Sequence, residues 1–257
     1  MTFEVLISCM YQNDFEIIQK SNLSDVPALV INQTDTLKDT LYNDANNHRR
    51  LDTCTRGLSV SRNMAIRESH AEICLLCDDD ERFIDNLEKV ILKTYNHYPN
   101  ADIICFSLDC PGTKMPKRIK KINYISALKI TSWQVSFRRE RVLEKELSFD
   151  TRFGSGTPIG SGEENIFLYD AIKSGLTVLY VPIHIGTVIP SESKWFNDFS
   201  KLSFENHGKK AKRLMGPFAG GIYCMYFALS KHKRYKDKVT ILDAIHQMAK
   251  GLKSDEY

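Results

Sequence analysis

The chain has 257 residues, of which 42% are hydrophobic, and its formal net charge is +3. This composition excludes a disordered chain, because it supplies enough apolar side chains for one large domain or for one domain with an appendage. No apolar run approaches the roughly 18 to 20 residues that a membrane-spanning helix needs, so we expect no such helix.

The N-terminal residues and the cysteines indicate the compartment. Met1–Cys9 enters a strand pattern directly, without the basic segment and long apolar core of a secretory signal, so we expect a cytoplasmic protein. The seven cysteines are an odd number and lie mostly in apolar strands, which is typical of reduced thiols in that compartment. Cys74 and Cys77 form a CxxC, but residues three apart face opposite sides of a strand, which disfavours zinc or redox chemistry.

Strands alternate with helices in the first half of the chain. The apolar pattern predicts strands over Phe3–Cys9, Ala28–Ile31, Ile73–Cys77 and Asp102–Ser107, and helices over Asp14–Lys20, from Gly57 onward and over Asp85–His97. Asn13 is the expected cap of the first helix, and residues 34–56 are expected to form a polar, turn-rich segment. This alternation is typical of a parallel, doubly wound sheet.

The pattern changes beyond Asp109. It predicts a basic loop over Lys114–Lys121, a strand over Ala127–Phe137, a helix over Arg138–Leu147, a glycine-rich loop over Phe149–Gly162, a helix from about Glu163 and a last strand over Leu176–Val181 that Pro182 closes. Glu163 and Glu164 fall in the first turn of their helix, where the helix dipole favours acidic side chains.

The C-terminal region is basic around an apolar segment. Phe218–Leu229 is a run of mostly apolar residues between two basic clusters. It is too short to span a bilayer, and it could either lie in a membrane interface or form a buried helix of a C-terminal subdomain. We expect no nucleic-acid partner, since no aromatic stacking array or reader motif accompanies the basic residues.

Three adjacent carboxylates, Asp78, Asp79 and Asp80, follow the buried strand Ile73–Cys77. Such groups repel one another and resist desolvation, so a fold that keeps them together usually supplies a cation. If the chain stays extended, Asp78 and Asp80 share one direction and suit a hard divalent ion whose other ligands are water and phosphate oxygens. The alternative is a solvated acidic turn before the next helix.

Four segments in this order carry a resemblance to a known family. They are VLISCMYQN, RGLSVSRNMAI, ICLLCDDDERF and FDTRFGSGTPIGSGEENIFLYDA, followed by a strand and His184. Together they resemble the family 2 glycosyltransferases of the GT-A fold, of the type that builds bacterial polysaccharides and other glycans. The resemblance covers about the first 190 residues.

The resemblance implies an α/β GT-A fold, in which a Rossmann-like, mostly parallel sheet is flanked by helices. Residues 1–190 would form the catalytic domain, with a nucleotide-sugar-binding half over 1–110 and an acceptor-binding half over 111–190. Residues 191–257 would form a basic, partly amphipathic helical extension that could associate with a membrane.

The resemblance also implies an inverting, metal-dependent hexosyl- or hexosaminyltransferase. It would move a sugar from a nucleotide-sugar donor, with a UDP-sugar favoured, to a glycan or a lipid-linked acceptor at the cytoplasmic face of the membrane. Asp80 matches the family's ligand for Mn²⁺ or Mg²⁺, and Asp78 and His184 are further candidate ligands. Glu164, or alternatively Glu163, matches the base that deprotonates the acceptor hydroxyl.

The same resemblance assigns donor contacts. The nucleotide-sugar-binding candidates are Ser8, Met10, Asn32, Gln33, Arg62, Asp78 and Asp79. Asn32 and Gln33 depart from the Asp-Asp-Gly-Ser ending that is common on the second strand of the family. Arg62 could instead serve only to bridge an acidic side chain, and His184 could be a structural residue.

Two other functions remain compatible with the sequence. A phosphoryl or nucleotidyl transferase could use the same acidic strand, although no phosphate-binding glycine motif accompanies it. A non-catalytic nucleotide-sugar-binding scaffold could keep the fold without the reaction.

Overall fold

The computed structural model describes residues 1–110, 116–131, 134–189 and 199–255. The chain divides into two compact units. Unit 1 consists of residues 1–151 and 163–191, and unit 2 consists of residues 152–162 and 192–257. The end of the glycine-rich loop therefore groups with the C-terminal residues.

Unit 1 is built on one large mixed sheet. Its strands are β1 Phe3–Met10, β2 Ala28–Gln33, β3 Thr40–Asn43, β4 His48–Thr53, β5 Ile73–Cys77, β6 Glu81–Phe83, β7 Ile103–Asp109, β8 Lys120–Lys121, β9 Val135–Arg138 and β10 Val178–Val188. Its helices are α1 Glu16–Lys20, α2 Leu58–Glu68, α3 Leu87–His97, α4 Tyr124–Ala127, α5 Arg139–Glu144 and α6 Glu163–Lys173.

The strand order is β3-β4-β2-β1-β5-β9-β7-β10-β6, with β8 beside β10. Strands β4, β2, β1 and β5 run parallel, as the alternating sequence pattern predicts. Every residue of β2 and β5 is buried, because both faces of this part of the sheet are covered. The sheet departs from the predicted parallel form where β9 runs antiparallel between β5 and β7.

Several predicted elements are corrected. The segment 34–56 contains β3 and β4, which its polar residues concealed. The strand predicted over Ala127–Phe137 begins only at Val135, because Asn123 caps the short helix α4, which extends to Ala127. Residues 132–133 of this prediction lie outside the described part of the chain. The first helix starts at Glu16, whose backbone N–H donates to Asp14 rather than to Asn13.

Pro182 does not end the last strand. Strand β10 continues to Val188, and its pairing with β7 shifts register between Tyr180 and His184. Because proline has no N–H to donate, such an irregularity is where a strand can accommodate it.

Unit 2 contains two helices, α7 Lys201–Tyr235 and α8 Ile241–Lys253, among its described residues. Ser200 and Thr240 cap them with side-chain oxygens. Helix α7 is interrupted at Gly216, whose φ of 75° is left-handed, and Pro217 restarts it. Within the described part of the chain, no helix combines the length and the apolarity that crossing a membrane requires.

Candidate functional site

The parallel strands of unit 1 bring their carboxyl ends to one edge of the sheet. Strands β1, β2, β4 and β5 end at Met10, Gln33, Thr53 and Cys77. Helix α2 begins shortly after β4 ends. Ligands of open α/β sheets bind outside this edge, so it is the place to look for a site.

The acidic cluster lies at the end of β5. The strand stops at Cys77, and Asp79 and Asp80 lie in the turn that leads to β6. The prediction that Asp78 and Asp80 share a direction assumed an extended chain, and the turn removes that assumption. Partial desolvation of the carboxyl and the neighbouring charge of Asp78 raise the pKa of Asp79.

Arg62 connects this cluster to helix α6. Its side chain is only 1% exposed, and its guanidinium donates from Nη2 to Oδ1 of Asp78 at 2.7 Å and from Nη1 to Oε1 of Glu163 at 3.1 Å. Burial alone would lower the pKa of Arg62, but the charges of Asp78 and Glu163 outweigh it and raise the pKa further. The guanidinium therefore stays charged and holds two carboxylates from distant parts of the chain together.

An aromatic stack supports this guanidinium. The Phe149 ring lies under Arg62, with 5.5 Å between the guanidinium carbon and the ring centroid. Phe149 in turn stacks on Phe167 of α6 at 4.4 Å between centroids. The Asn63 side chain fixes the backbone of Phe149 through two hydrogen bonds of 2.7 and 2.8 Å. Arg62 and Asn63, neighbours on α2, thus position the same segment from two sides.

The two glutamates of α6 have different environments. Glu163 is 5% exposed and bound to Arg62, whereas Glu164 is partly exposed and contributes to the field that raises the pKa of Arg62. Asn165 ties the first turn to the end of α4 through hydrogen bonds to the carbonyls of Ala127 and Ile130. The helix start is therefore anchored, and Glu164 is the more accessible acid.

Glu81 is an acidic residue that sequence reasoning missed. It lies on β6, is 1% exposed, and accepts a hydrogen bond from the backbone N–H of Asp78. Burial and the charge of Asp78 raise the pKa of Glu81 well above its ordinary value. In the sequence Glu81 is visible as the fourth acidic residue of the run DDDE, but the short strand β6, which buries its side chain, was not predicted.

The side-chain amides of Asn32 and Gln33, which were predicted to bind the donor, form hydrogen bonds within the protein. Asn32 is fully buried and bonds to the backbone of Gln12 and to Asp52 at 2.8 Å, and Gln33 donates to the carbonyl of Gly57. Asp52, which also pairs with Arg50, was missed because β4 was missed. At the sheet edge it places a carboxylate beside Asn32.

The remaining candidates on β1 and β10 lie at two places. Ser8 is buried and accepts a hydrogen bond from Ser61 of α2, while Met10 is exposed at the end of β1. His184 lies beside Asp109, with 3.3 Å between Nε2 and Oδ2. The backbone carbonyl of Asp80 accepts a hydrogen bond from the N–H of Ile189, which follows the end of β10 and lies five residues after His184, roughly 15 Å along an extended chain. The structure therefore does not bring His184 to Asp80.

The carboxylates at the end of β5 fit a divalent ion that is completed by substrate. Among the described residues, no three His, Cys, Asp or Glu side chains form a cage for a metal. Mg²⁺ needs no such cage, because it is often bound through one or two carboxylates, water and substrate phosphates. Arg62 supplies one positive charge for the two carboxylates of Asp78 and Glu163, and Asp79 and Asp80 add further negative charge beside them.

Comparison with known proteins identifies the fold. By sequence, the chain matches no protein-family model and no curated protein. Among solved structures, it is similar to residues 1–349 of S. aureus TarS in complex with UDP-GlcNAc, with a TM-score of 0.65 and 14% identity over 98% of this chain and 82% of that one. The same fragment in complex with UDP gives a TM-score of 0.62 at 14% identity, covering 98% of this chain and 81% of that one.

A longer TarS structure gives a TM-score of 0.61 at 14% identity over 95% of this chain, which spans only 46% of that protein. The identity is low, so the similarity establishes the fold and not the activity. The chain has a mixed α/β fold of the GT-A glycosyltransferase type, with a helical C-terminal region.

Proposed function

We propose that the protein is an inverting glycosyltransferase that moves a hexose or hexosamine from a nucleotide sugar to a hydroxyl of a glycan or a lipid-linked acceptor. The observation that carries the proposal is the pairing of Arg62 with both Asp78 and Glu163. It joins the acidic strand end to the start of α6, the two parts that such a reaction needs together. The TarS complexes with UDP-GlcNAc and UDP support a UDP-sugar as donor.

The donor must lose a nucleoside diphosphate, whose negative charge grows as it departs. Mn²⁺ or Mg²⁺ held by Asp80 and Asp78 would neutralise that charge as a Lewis acid. Arg62 keeps Asp78 in place, and its own charge is already balanced by Asp78 and Glu163. The cluster therefore retains negative charge with which to bind a cation.

The acceptor needs a base on the opposite side of the donor sugar. Glu164 is suited to this role because it is partly exposed, whereas Glu163 is buried against Arg62. As the acceptor oxygen bonds to the anomeric carbon, the bond from that carbon to the diphosphate oxygen breaks and the hydroxyl proton passes to the Glu164 carboxylate. Displacement from the opposite face inverts the anomeric configuration.

The nucleoside would occupy the sheet edge at the ends of β1, β2 and β4. Asp52 is the partly exposed polar group there; Arg50 and the buried amide of Asn32 hold its carboxylate, which can accept a hydrogen bond from the edge of a base. The exposed Met10 offers an apolar contact, and Ser8 supports the strand end through Ser61.

The proposal is tested by assaying the products from a panel of UDP- and GDP-sugars, with Mn²⁺ and with a chelator. We expect release of nucleoside diphosphate that requires the metal. Asp80→Asn and Glu164→Gln should each reduce kcat on the order of 100-fold, the usual effect of removing a group that stabilises charge or moves a proton in the transition state.

Matched controls are available in the same unit. Asp25 is exposed, and Glu140 is exposed in the first turn of α5, so Asp25→Asn and Glu140→Gln should retain full activity. Unchanged turnover in Asp80→Asn, or formation of pyrophosphate or inorganic phosphate instead of nucleoside diphosphate, contradicts the proposal. A larger kcat loss in Glu163→Gln than in Glu164→Gln would move the base to Glu163.

A further inference from the structure

The second half of helix α7, from Pro217 to Tyr235, has two different faces. Gly220, Cys224 and Ala228 are buried on one face. Cys224 and Ala228 belong to the hydrophobic core of unit 2, which includes Met248 of α8. A side chain at Gly220 would come within 2.9 Å of the Ala211 carbonyl oxygen, so the chain packs tightly there. This face is fully occupied by its own unit.

The opposite face carries a row of large apolar side chains. Phe218, Ile222, Met225, Tyr226 and Leu229 are 84%, 59%, 56%, 65% and 62% exposed. Their spacing of three and four residues places them on one side of the helix, in a row about 16 Å long. We call these five residues the α7 stripe. Single exposed apolar residues are ordinary, but a contiguous row usually marks a contact surface.

Basic side chains follow the α7 stripe at its C-terminal end. Lys233 follows Leu229 by one helical turn on the same face and is exposed, and Lys236 is exposed at the helix end. Between Ser230 and Val239 the chain has five basic residues and a single acidic one, Asp237. A partner that covers the stripe must therefore combine an apolar interior with a negatively charged rim.

An anionic lipid surface has this combination. Helices with an apolar face and basic residues lie in the plane of a membrane interface, with the apolar side chains among the acyl chains and the cations on the headgroups. Anionic lipids attract each Lys or Arg near the surface. A second copy of the chain offers apolar side chains, but its equivalent helix end brings positive charge.

We propose that the α7 stripe binds the interface of an anionic bilayer, with Lys233 and Lys236 on the lipid headgroups. The buried face with Gly220 and Cys224 remains on α8. The second half of helix α7 therefore lies parallel to the bilayer surface when the stripe is bound. The inference goes beyond the proposed function and does not depend on it.

The test is sedimentation of the full chain with vesicles, either of equal parts phosphatidylglycerol and phosphatidylcholine or of phosphatidylcholine alone. Wild type should bind the anionic vesicles at least tenfold more strongly than the neutral ones. The double variant Phe218→Ser/Ile222→Ser should lose at least tenfold in the partition coefficient for anionic vesicles. Lys233→Glu/Lys236→Glu should lose a similar factor, and the loss should shrink as salt is added.

The matched control is Leu37→Ser/Leu41→Ser, which removes two exposed leucines of unit 1 and should bind like wild type. Circular dichroism and the thermal unfolding midpoint verify that each variant is folded, and nucleoside diphosphate release provides an independent readout of the proposed function. Failure of wild type to sediment overturns the proposal, as does unchanged binding by Phe218→Ser/Ile222→Ser. A dimer in sedimentation equilibrium that this double variant makes monomeric would reassign the stripe to a contact between copies.

Discussion

Arg62 is the residue on which the geometry of the site depends most. A guanidinium is a planar fork that can donate to two carboxylates at once while its face lies on an aromatic ring. Arg62 uses all of these properties, with Asp78 and Glu163 at its edge and Phe149 at its face. The structure shows it as a bridge between acidic residues, one of the two alternatives that the sequence left open, and its contact with the donor stays a prediction.

Removing this guanidinium should destabilise the protein strongly. Arg62→Met removes the guanidinium that Asp78 and the buried Glu163 share, and breaking a buried ion pair from one side costs about 3–5 kcal/mol in the free energy of unfolding. Lys20→Met is the control, because Lys20 and its partner Glu16 are exposed and such pairs contribute about 0–1 kcal/mol. Urea unfolding of both variants gives the comparison. Equal losses would show that the buried bridge contributes no more than a surface pair.

The residues found from the sequence differ from those missed in one physical respect. Asp78, Arg62 and Glu163 lie in segments whose order along the chain resembles a known pattern, so they could be named before their partners were known. Glu81 and Asp52 are placed by β6 and β4, and these strands are too short or too polar to produce an apolar signal. Their roles follow from pairing with distant strands, which sequence periodicity does not encode.

Helices α7 and α8 approach each other closely because of glycine. A Cβ at Gly208 would lie 2.1 Å from the backbone oxygen of Met248, and a Cβ at Gly251 would lie 2.0 Å from that of Glu205. These contacts involve backbone atoms, which cannot rotate away as a side chain can. The two glycines are therefore required for the observed distance between the helices.

We expect Gly208→Ala and Gly221→Ala to change stability in opposite directions. Both introduce alanine into the same helix, and the better helix propensity favours each by up to about 1 kcal/mol. At Gly221 the new methyl group meets only Leu252 at 3.9 Å, so the gain is kept. At Gly208 overpacking against Met248 costs about 1–3 kcal/mol or more. Thermal and urea unfolding measure both, and a stabilised Gly208→Ala would contradict the close approach.

Among the elements, the sequence predicted those with strong local signals. The buried strands β1, β2 and β5 and the helices α2, α3 and α6 were located to within a few residues of their observed bounds. The continuation of β10 beyond Pro182 was missed, because proline is normally a stop signal and the register shift that accommodates it depends on β7. The short helix α4 was not predicted, since its Asn123 cap carries little weight beside apolar neighbours.

At the scale of the whole molecule, strand order is what the sequence could not provide. Alternating strands and helices predicted parallel pairing in the first half, and β4-β2-β1-β5 confirms it. The insertion of β9 between β5 and β7 joins residues far apart in the chain. This insertion places β9 beside β5, the strand that Asp78 follows. Pairing between strands far apart in the chain depends on tertiary structure, and local sequence patterns carry no information about it.

The pH dependence of stability is also a property of the whole molecule, because it sums the protons bound by every group in the folded and unfolded states. His207 in α7 makes one contribution with a clear sign. Its ring lies 3.9 Å from that of Phe227, and its Nε2 is buried without a hydrogen-bond partner among the described residues. Burial, assisted by the charge of Lys210, lowers the pKa of His207 from 6.5 to about 3.

The sign follows from which state binds the proton. Between pH 6.5 and about 3 the unfolded chain protonates His207 and the folded chain does not, so this residue lowers the free energy of unfolding as pH falls, by at most about 1.4 kcal/mol per pH unit. Above pH 6.5 this loss is absent, so the free energy of unfolding keeps its full value with respect to His207. Asp79 and Glu81, whose pKa values are raised, contribute with the opposite sign in wild type and variants alike.

His207→Phe keeps an aromatic ring in the stack and removes the titration, so comparison with wild type isolates this contribution. We expect the stability of wild type relative to His207→Phe to decrease steadily as pH falls below about 6.5, in urea unfolding at a series of pH values. His246 is exposed on α8, so His246→Phe is the control for replacing a histidine of the same unit by phenylalanine. A pH dependence of His207→Phe that parallels wild type would mean that the folded protein protonates His207 as readily as the unfolded chain does.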